Sequence, residues 1–185
     1  MDTYRLALIG FGNVGQGFTE ILAEKSNDLA HRYGIQFQIV AVSDFLKGSL
    51  YDPQGLDPAD LLTAVRAKGD LAGVKAPQIG WNALETIRNS AADVVVELSY
   101  TDLETGQPAL DHIRTALESG KHVVTSNKGP IALHYQNLQT LAAAKGLQIG
   151  VEGTVMSGTP TLHLGRDLLA GAGIQRIQGL SLIHI

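Results

Sequence analysis

Cysteine is absent from the 185-residue chain. Its absence excludes disulfides, zinc–thiolate centres and thiol nucleophiles among these residues, and it fits a reducing compartment. Blocks of basic residues are missing too. With a net charge of −4 and a pI near 5.8, the chain offers no electrostatic footprint for a nucleic acid or an anionic membrane surface. No apolar run approaches the roughly 20 residues that span a bilayer. The N-terminus lacks the basic n-region and long apolar core of a signal peptide. Six histidines are present, but His31, His112, His122, His134, His163 and His184 have no metal-ligand spacing. His122 reads as a strand residue and the others as surface residues. No repeat, low-complexity tract or long linker interrupts the chain. These absences lead to the expectation of a soluble cytoplasmic protein with no nucleic-acid or membrane partner. The length fits one domain, or one domain and the start of a second.

What the chain does contain is alternation. Tyr4 to Ile9 is a short apolar run that reads as a buried strand. After Gly15 the period changes: Val14, Phe18, Ile21, Leu22 and Leu29 fall at helical spacing, and Gly34 is a helix stop. Phe37 to Val42 reads as a second strand, ending at Ser43-Asp44. Strand, glycine turn, helix and strand make a βαβ unit with parallel strands. The segment 45–56 is rich in Gly, Asp, Ser and Pro and reads as loop. Asp57-Pro58 predicts an N-cap and first helical position for a helix to about Lys68, and Asn82 with Glu85 resembles a capping box. Strands are expected at Ala92–Leu98, His122–Ser126, Leu147–Val151 and Ile174–Leu180. Helices are expected at Pro108–Ser119, His134–Lys145 and Pro160–Leu169. Strands and helices in turn predict an α/β, doubly wound, mostly parallel sheet. Ligands of such sheets bind beyond the carboxyl ends of the strands. Gly10–Gly15, Asp44, Ser99–Thr105, Ser126–Pro130 and Glu152–Pro160 are expected there.

The segment GFGNVG places Gly10, Gly12 and Gly15 between a strand and a helix. Gly10 permits a tight turn. Gly12 has no β-carbon to obstruct a pyrophosphate, and Gly15 lets the helix pack on the strand. With Phe11, Asn13 and Val14 they form a candidate phosphate cradle. The competing reading is a tight turn without a ligand. Asp44, at the end of the second strand, is placed to meet adenosine ribose hydroxyls, which favours NAD over NADP, or to cap its own turn. Lys47 nearby softens that preference.

Four segments together resemble homoserine dehydrogenase: GFGNVG, ELSYTDLETGQPA at 97–109, GKHVVTSNKGPIAL at 120–133 and EGTVMSGTP at 152–160. The resemblance runs from about Arg5 to Leu180. It implies a Rossmann-type NAD(P)-binding domain over residues 1–160. It also implies NAD(P)-dependent interconversion of L-homoserine and L-aspartate 4-semialdehyde, a step toward threonine and methionine. Lys128 matches the family lysine beside nicotinamide and substrate, where an ammonium stabilises a developing alkoxide or relays a proton. Ser99 matches a cofactor-contacting hydroxyl; it equally suits a turn cap. Glu97 is a buried partner or a site residue. Glu152, Val155, Ser157 and Thr159 match a loop that holds a monovalent cation, commonly Na+, by main-chain carbonyls, although Met156-Ser157 departs from the usual small pair. The alternative there is a strand-to-helix loop with no ion.

By the same resemblance, residues 161–185 begin the connection to a substrate and dimerisation domain that would make the parent a homodimer. The ending SLIHI departs from the pattern and is expected to be a truncation or a cloning or sequencing scar. Two other readings stay open: a non-catalytic NAD(P)-binding sensor, and a dehydrogenase of another amino-acid semialdehyde.

Overall fold

The first strand, β1 (Asp2–Ile9), explains the layering. Successive side chains of a strand point to opposite faces. Leu6 and Leu8 enter one apolar cluster, while Ala7 and Ile9 enter another on the far side of the sheet. β1 is therefore buried on both faces, as expected of a central strand in a sheet covered by helices. The computed structural model describes residues 1–178.

Around β1 the chain builds α1 (Asn13–Tyr33), β2 (Ile35–Asp44), β3 (Gly48–Tyr51), α2 (Pro58–Lys68), β4 (Gln78–Ile79), α3 (Ala83–Asn89), β5 (Val94–Glu97), α4 (Ala109–Glu118), β6 (His122–Thr125), α5 (Lys128–Ala144), β7 (Ile149–Gly150) and α6 (Thr161–His163). The sheet order is β4-β3-β2-β1-β5-β6-β7. β2, β1, β5, β6 and β7 pair in parallel, and β3 and β4 are antiparallel additions at one edge. Leu22 of α1 and Leu61 and Val65 of α2 cover one face. Ile87 of α3, Ile113 and Leu117 of α4 and Leu138 of α5 cover the other. The chain moves from β1 to β2 on one side and later returns to place β5 on the other. The crevice at the carboxyl ends of β1 and β5 is thus the topological switch point, where such sheets bind ligands.

Local signals set most boundaries. The Asp57 side chain accepts from Ala59 N and Asp60 N, with Pro58 in the first turn of α2. Asn82 and Glu85 close a reciprocal capping box on α3. Gly34 ends α1 in the left-handed conformation, at φ 67°.

Four expectations need correction. The 45–56 segment is not all loop, because β3 pairs with β2 there; Leu50 drives the pairing by filling the core over α2. α5 starts at Lys128 rather than His134. Gly129-Pro130 reads as loop, yet a proline in the first helical turn sacrifices only an N–H that has no intrahelical acceptor. The helix expected over Pro160–Leu169 is broken into α6 and a π-type turn at Leu164–Leu168. Leu164, Leu168 and Leu169 are exposed, so no packing supports a regular helix. Residues 174–178 form no strand, and Ser181 onward, with Gly179 and Leu180, lie outside the described residues.

One ion pair ties β1 to the turn before β5. Arg5 donates from its backbone N–H (2.9 Å), Nε (3.0 Å) and Nη2 (2.7 Å) to the Asp93 carboxylate. The guanidinium hydrogen bond holds the Asp93 carboxyl below the usual carboxylate range. The pair therefore stabilises the fold above the ordinary carboxylate pKa, and that stability is lost as pH falls through the lowered value. Asp93→Asn should cost about 0.5–1 kcal/mol at neutral pH, the scale of a partly exposed pair. Its deficit relative to wild type should shrink below about pH 4. Urea midpoints measured from neutral pH downward check both statements.

Candidate functional site

At the switch point lies a cleft of about 930 Å³. The glycine turn forms its floor. Gly10 adopts φ +97°, and a β-carbon on it would sit 2.5 Å from the carbonyl oxygen of Leu98. A β-carbon on Gly15 would sit 2.6 Å from the carbonyl of Gly10. Both positions exclude side chains because backbone occupies the space. At Gly12 the reverse holds: a β-carbon would meet nothing within 4 Å. Gly12 therefore opens outward at the N-terminus of α1, which no side chain caps and whose first turn carries no acidic residue. Uncapped N–H groups at a helix start suit an anion.

The end of β2 holds this turn in place. Gly10 N donates to Ser43 O at 2.8 Å. Phe11 N donates to Asp44 Oδ2 at 2.7 Å, while Asp44 Oδ1 accepts from Leu46 N and Lys47 N, each at 3.0 Å. Partial burial pushes the Asp44 carboxyl up, but the three backbone donors outweigh it and leave its pKa below the usual value. Asp44 is thus an ionised acceptor that caps its own turn and also grips the glycine turn. It lines the cleft with Gly10, Gly12 and Ser99. Phe11 is fully buried, with its side chain in the α1–α2 core. Asn13 and Val14 are exposed at the first turn of α1.

The β5 side of the cleft is built around a second carboxylate. Glu97 is fully buried. Its Oε1 accepts from Ser99 N (3.2 Å) and Ser99 Oγ (2.5 Å) and faces His112 Nδ1 at 3.2 Å. Its Oε2 accepts from Thr125 Oγ1 (3.3 Å) and from Asn127 Nδ2. His112 is buried, contrary to the surface position expected for it. Its signal was legible: with Ala109, Ile113 and Ala116 it falls on one helical face of α4. Ser99 and Glu97 approach the same ring nitrogen of His112, so the three cannot relay a proton across the imidazole as a Ser–His–acid triad does.

Lys128 is exposed at the first position of α5 and does not line the cleft. Its ammonium has no protein hydrogen-bond partner among the described residues. Phe45, Leu46, Trp81 and Asn82 also line the cleft; of these the sequence marks only Asn82, and as a helix cap rather than a site residue. Trp81 stacks on Tyr51 with ring centroids 5.1 Å apart. Phe45 and Leu46 directly follow β2, and the pairing of β3 with β2 and of β4 with β3 brings Trp81 and Asn82 to the same edge.

The 152–160 loop turns through two left-handed residues, Met156 (φ 56°) and Ser157 (φ 52°). Glu152 uses its carboxylate to cap the following helix, accepting from Leu162 N at 2.9 Å and His163 N at 3.1 Å. The carbonyl of Glu152 accepts from Val155 N, and that of Thr159 accepts from Thr161 N at 2.7 Å. The carbonyls of Val155 and Ser157 have no such partner among the described residues. Two of the four expected oxygen donors thus accept one backbone hydrogen bond each, which leaves each a second lone pair.

Comparison with known proteins agrees with this architecture. The family described as "Homoserine dehydrogenase, NAD binding domain" matches residues 10–152. The chain is 38% identical over 180 residues to an NAD(+)-dependent homoserine dehydrogenase of Pseudomonas canavaninivorans, covering 97% of this chain and 51% of that protein. It is 36% identical over 178 residues to a homoserine dehydrogenase of Methanocaldococcus jannaschii, covering 95% of this chain and 52% of that protein. A hyperthermophilic archaeal homoserine dehydrogenase mutant in complex with NADPH superposes with a TM-score of 0.78 at 27% identity, covering 91% of this chain and 50% of that one. The chain spans about half the length of these relatives. With the glycine turn, both carboxylate-anchored strand ends and the NK segment all inside the match, the chain belongs to the homoserine dehydrogenase NAD-binding domain family.

Proposed function

We propose that this chain is the cofactor-binding part of an NAD(P)-dependent homoserine dehydrogenase. Residues 1–160 form the dinucleotide domain, and residues 161–185 lead toward a substrate and dimerisation domain. The observation that carries the reading is the turn at Gly10–Gly12: held by Asp44 and Ser43, open at Gly12, and set at an uncapped helix start inside a family that binds dinucleotides.

The residues fit such a cofactor. The pyrophosphate would lie over Gly10–Gly12 at the start of α1. Asp44 would face the adenosine ribose with the lone pair that its three backbone donors leave free. Ser99 stands at the β5 end of the same cleft. Bound there, the cofactor would supply the acceptor, and in reverse the donor, for a hydride exchanged with the substrate carbinol carbon. The net reaction is L-homoserine + NAD(P)+ ⇌ L-aspartate 4-semialdehyde + NAD(P)H + H+. Lys128, exposed at the start of α5 and without a hydrogen-bond partner among the described residues, carries an ammonium suited to stabilise the developing alkoxide or to pass its proton on. No step is assigned to a cation at the 152–160 loop.

The turn gives the first test. Gly12→Val would place a branched side chain where the phosphates approach, in space the fold leaves vacant. It should abolish NADH binding in a fluorescence titration while the thermal midpoint stays near wild type. Wild-type affinity in the variant would remove the turn from the site.

Selectivity gives the second. Asp44→Asn keeps an acceptor for Phe11 N but removes the charge facing a 2′-phosphate. The NAD-to-NADP affinity ratio should fall about fivefold, or about 1 kcal/mol, the scale of a partly solvated like-charge contact. Paired titrations with both cofactors check it, and an unchanged ratio places the ribose elsewhere.

The reaction itself gives the third. Hydride transfer needs the substrate carbon held over the nicotinamide in a near-attack geometry, in a site shielded from water. This chain should bind NADH yet form no NAD(P)H from L-homoserine above background, whereas a chain extended to its relatives' full length should turn over. Equal activity in both would show that residues 1–185 already hold the whole site.

A further inference from the structure

Glu97 has an unusual load for a strand residue. A buried carboxylate is tolerated only when its lone pairs are met by donors. Here the donors come from four separate segments: Ser99 after β5, His112 of α4, Thr125 of β6 and Asn127 before α5. Asn127 is the informative member. It stands at the N-cap of α5, yet its side chain makes no capping bond to the helix. Its amide instead donates to Glu97 Oε2 and, at 2.8 Å, to the carbonyl of Ser99. Asn127 N in turn donates to Thr125 Oγ1 at 3.0 Å. Through the Asn127 side chain, the junction between β6 and α5 is thus fixed to the end of β5 at two points, Glu97 Oε2 and the Ser99 carbonyl.

The far side of the same junction is also closed. A β-carbon on Gly129 would collide with the Thr101 side chain and stand 3.0 Å from the carbonyl of Asp102. One on Gly106 would stand 3.3 Å from Pro130. Lys128 lies between these constraints, directly after Asn127 and outside the described hydrogen-bond network.

We propose that Glu97 is a positioning residue for the nicotinamide side of the cleft: through Asn127 and Ser99 it sets where the first turn of α5, and with it Lys128, stands relative to the glycine turn. The proposal rests on the dinucleotide reading of the cleft given above. It assigns no proton transfer to Glu97, which touches neither the cofactor path nor Lys128. Its effect is to remove freedom from a helix start whose own cap residue is committed elsewhere. Loss of that constraint should be felt at the nicotinamide end and not at the adenosine end, which Asp44 and β2 hold independently.

The experiment compares the wild-type chain with Glu97→Gln, Asn127→Ala and the double variant. NADH affinity and its fluorescence enhancement are measured beside the affinity for ADP, which lacks the nicotinamide half, and beside the thermal midpoint. Each single variant should weaken NADH by about tenfold, the scale of one charge-assisted hydrogen bond, and leave ADP within about twofold. The double variant should be no weaker than Asn127→Ala alone, because Glu97→Gln only takes the charge from the link that Asn127→Ala removes outright. A parallel loss of NADH and ADP overturns the proposal in favour of general support of the fold. So does unchanged NADH affinity in a folded variant, or additive losses in the double. If Glu97→Gln does not fold, Asn127→Ala carries the test by the same split, since it leaves the other donors of Glu97 intact. A wild-type chain that binds neither probe overturns the dinucleotide reading itself, and this proposal with it.

Discussion

The backbone at Gly10 and Phe11 is gripped from both sides, and the rest of the site follows from that grip. On the β2 side, Ser43 O and the Asp44 carboxylate accept the N–H groups of Gly10 and Phe11. On the β5 side, the Leu98 carbonyl presses so close that no side chain could stand at Gly10. The turn therefore leaves β1 at a fixed angle. α1 must start where its uncapped amides face the crevice. A close approach of backbone to backbone is an unyielding constraint, because neither partner can rotate away as a side chain can.

The same device is used twice along the carboxyl edge of the sheet, with different chemistry. Asp44 is half-buried and draws on backbone donors, which hold its carboxyl in the ionised form. Glu97 is fully buried and draws mostly on side chains from elements far apart in sequence. Asp44 orders a local turn and its neighbour. Glu97 joins the start of α5 to the end of β5. Between them the two carboxylates anchor the cleft at its β2 and β5 sides, and the glycine turn lies between. A site spread over several loops is thereby tied to rigid strands, which is how a loop-borne site gains precision.

Much of this was legible in the sequence where the determining physics is local. The glycine turn, the Asp57-Pro58 helix start and the Asn82–Glu85 capping box each depend on a few adjacent residues. What was not legible depends on contacts across the fold. β3 lies in a segment whose composition says loop; its pairing comes from Leu50 filling the core beneath β2, a case of tertiary context overriding propensity. Glu97 could be read as either a core or a site residue, because a carboxylate in an apolar strand becomes interpretable only when its donors are known. His112 was misplaced for the opposite reason. Its helical phase with Ala109, Ile113 and Ala116 marks it as inward-facing, and that phase outweighs the usual surface preference of histidine. The Leu164–Leu169 stretch has helical periodicity and no partner to bury it among the described residues, so periodicity alone overstated its order.

The central claim is that the glycine turn and the two carboxylate-anchored strand ends form one dinucleotide cleft. The most direct measurement is a backbone-amide NMR titration of this chain with NADH. Saturable shifts are expected at Gly10, Gly12 and Asn13, with further shifts near Asp44 and Ser99, and a quiet face over α2. Shifts confined to another surface, or none at a concentration where NADH binding is seen by fluorescence, would contradict it.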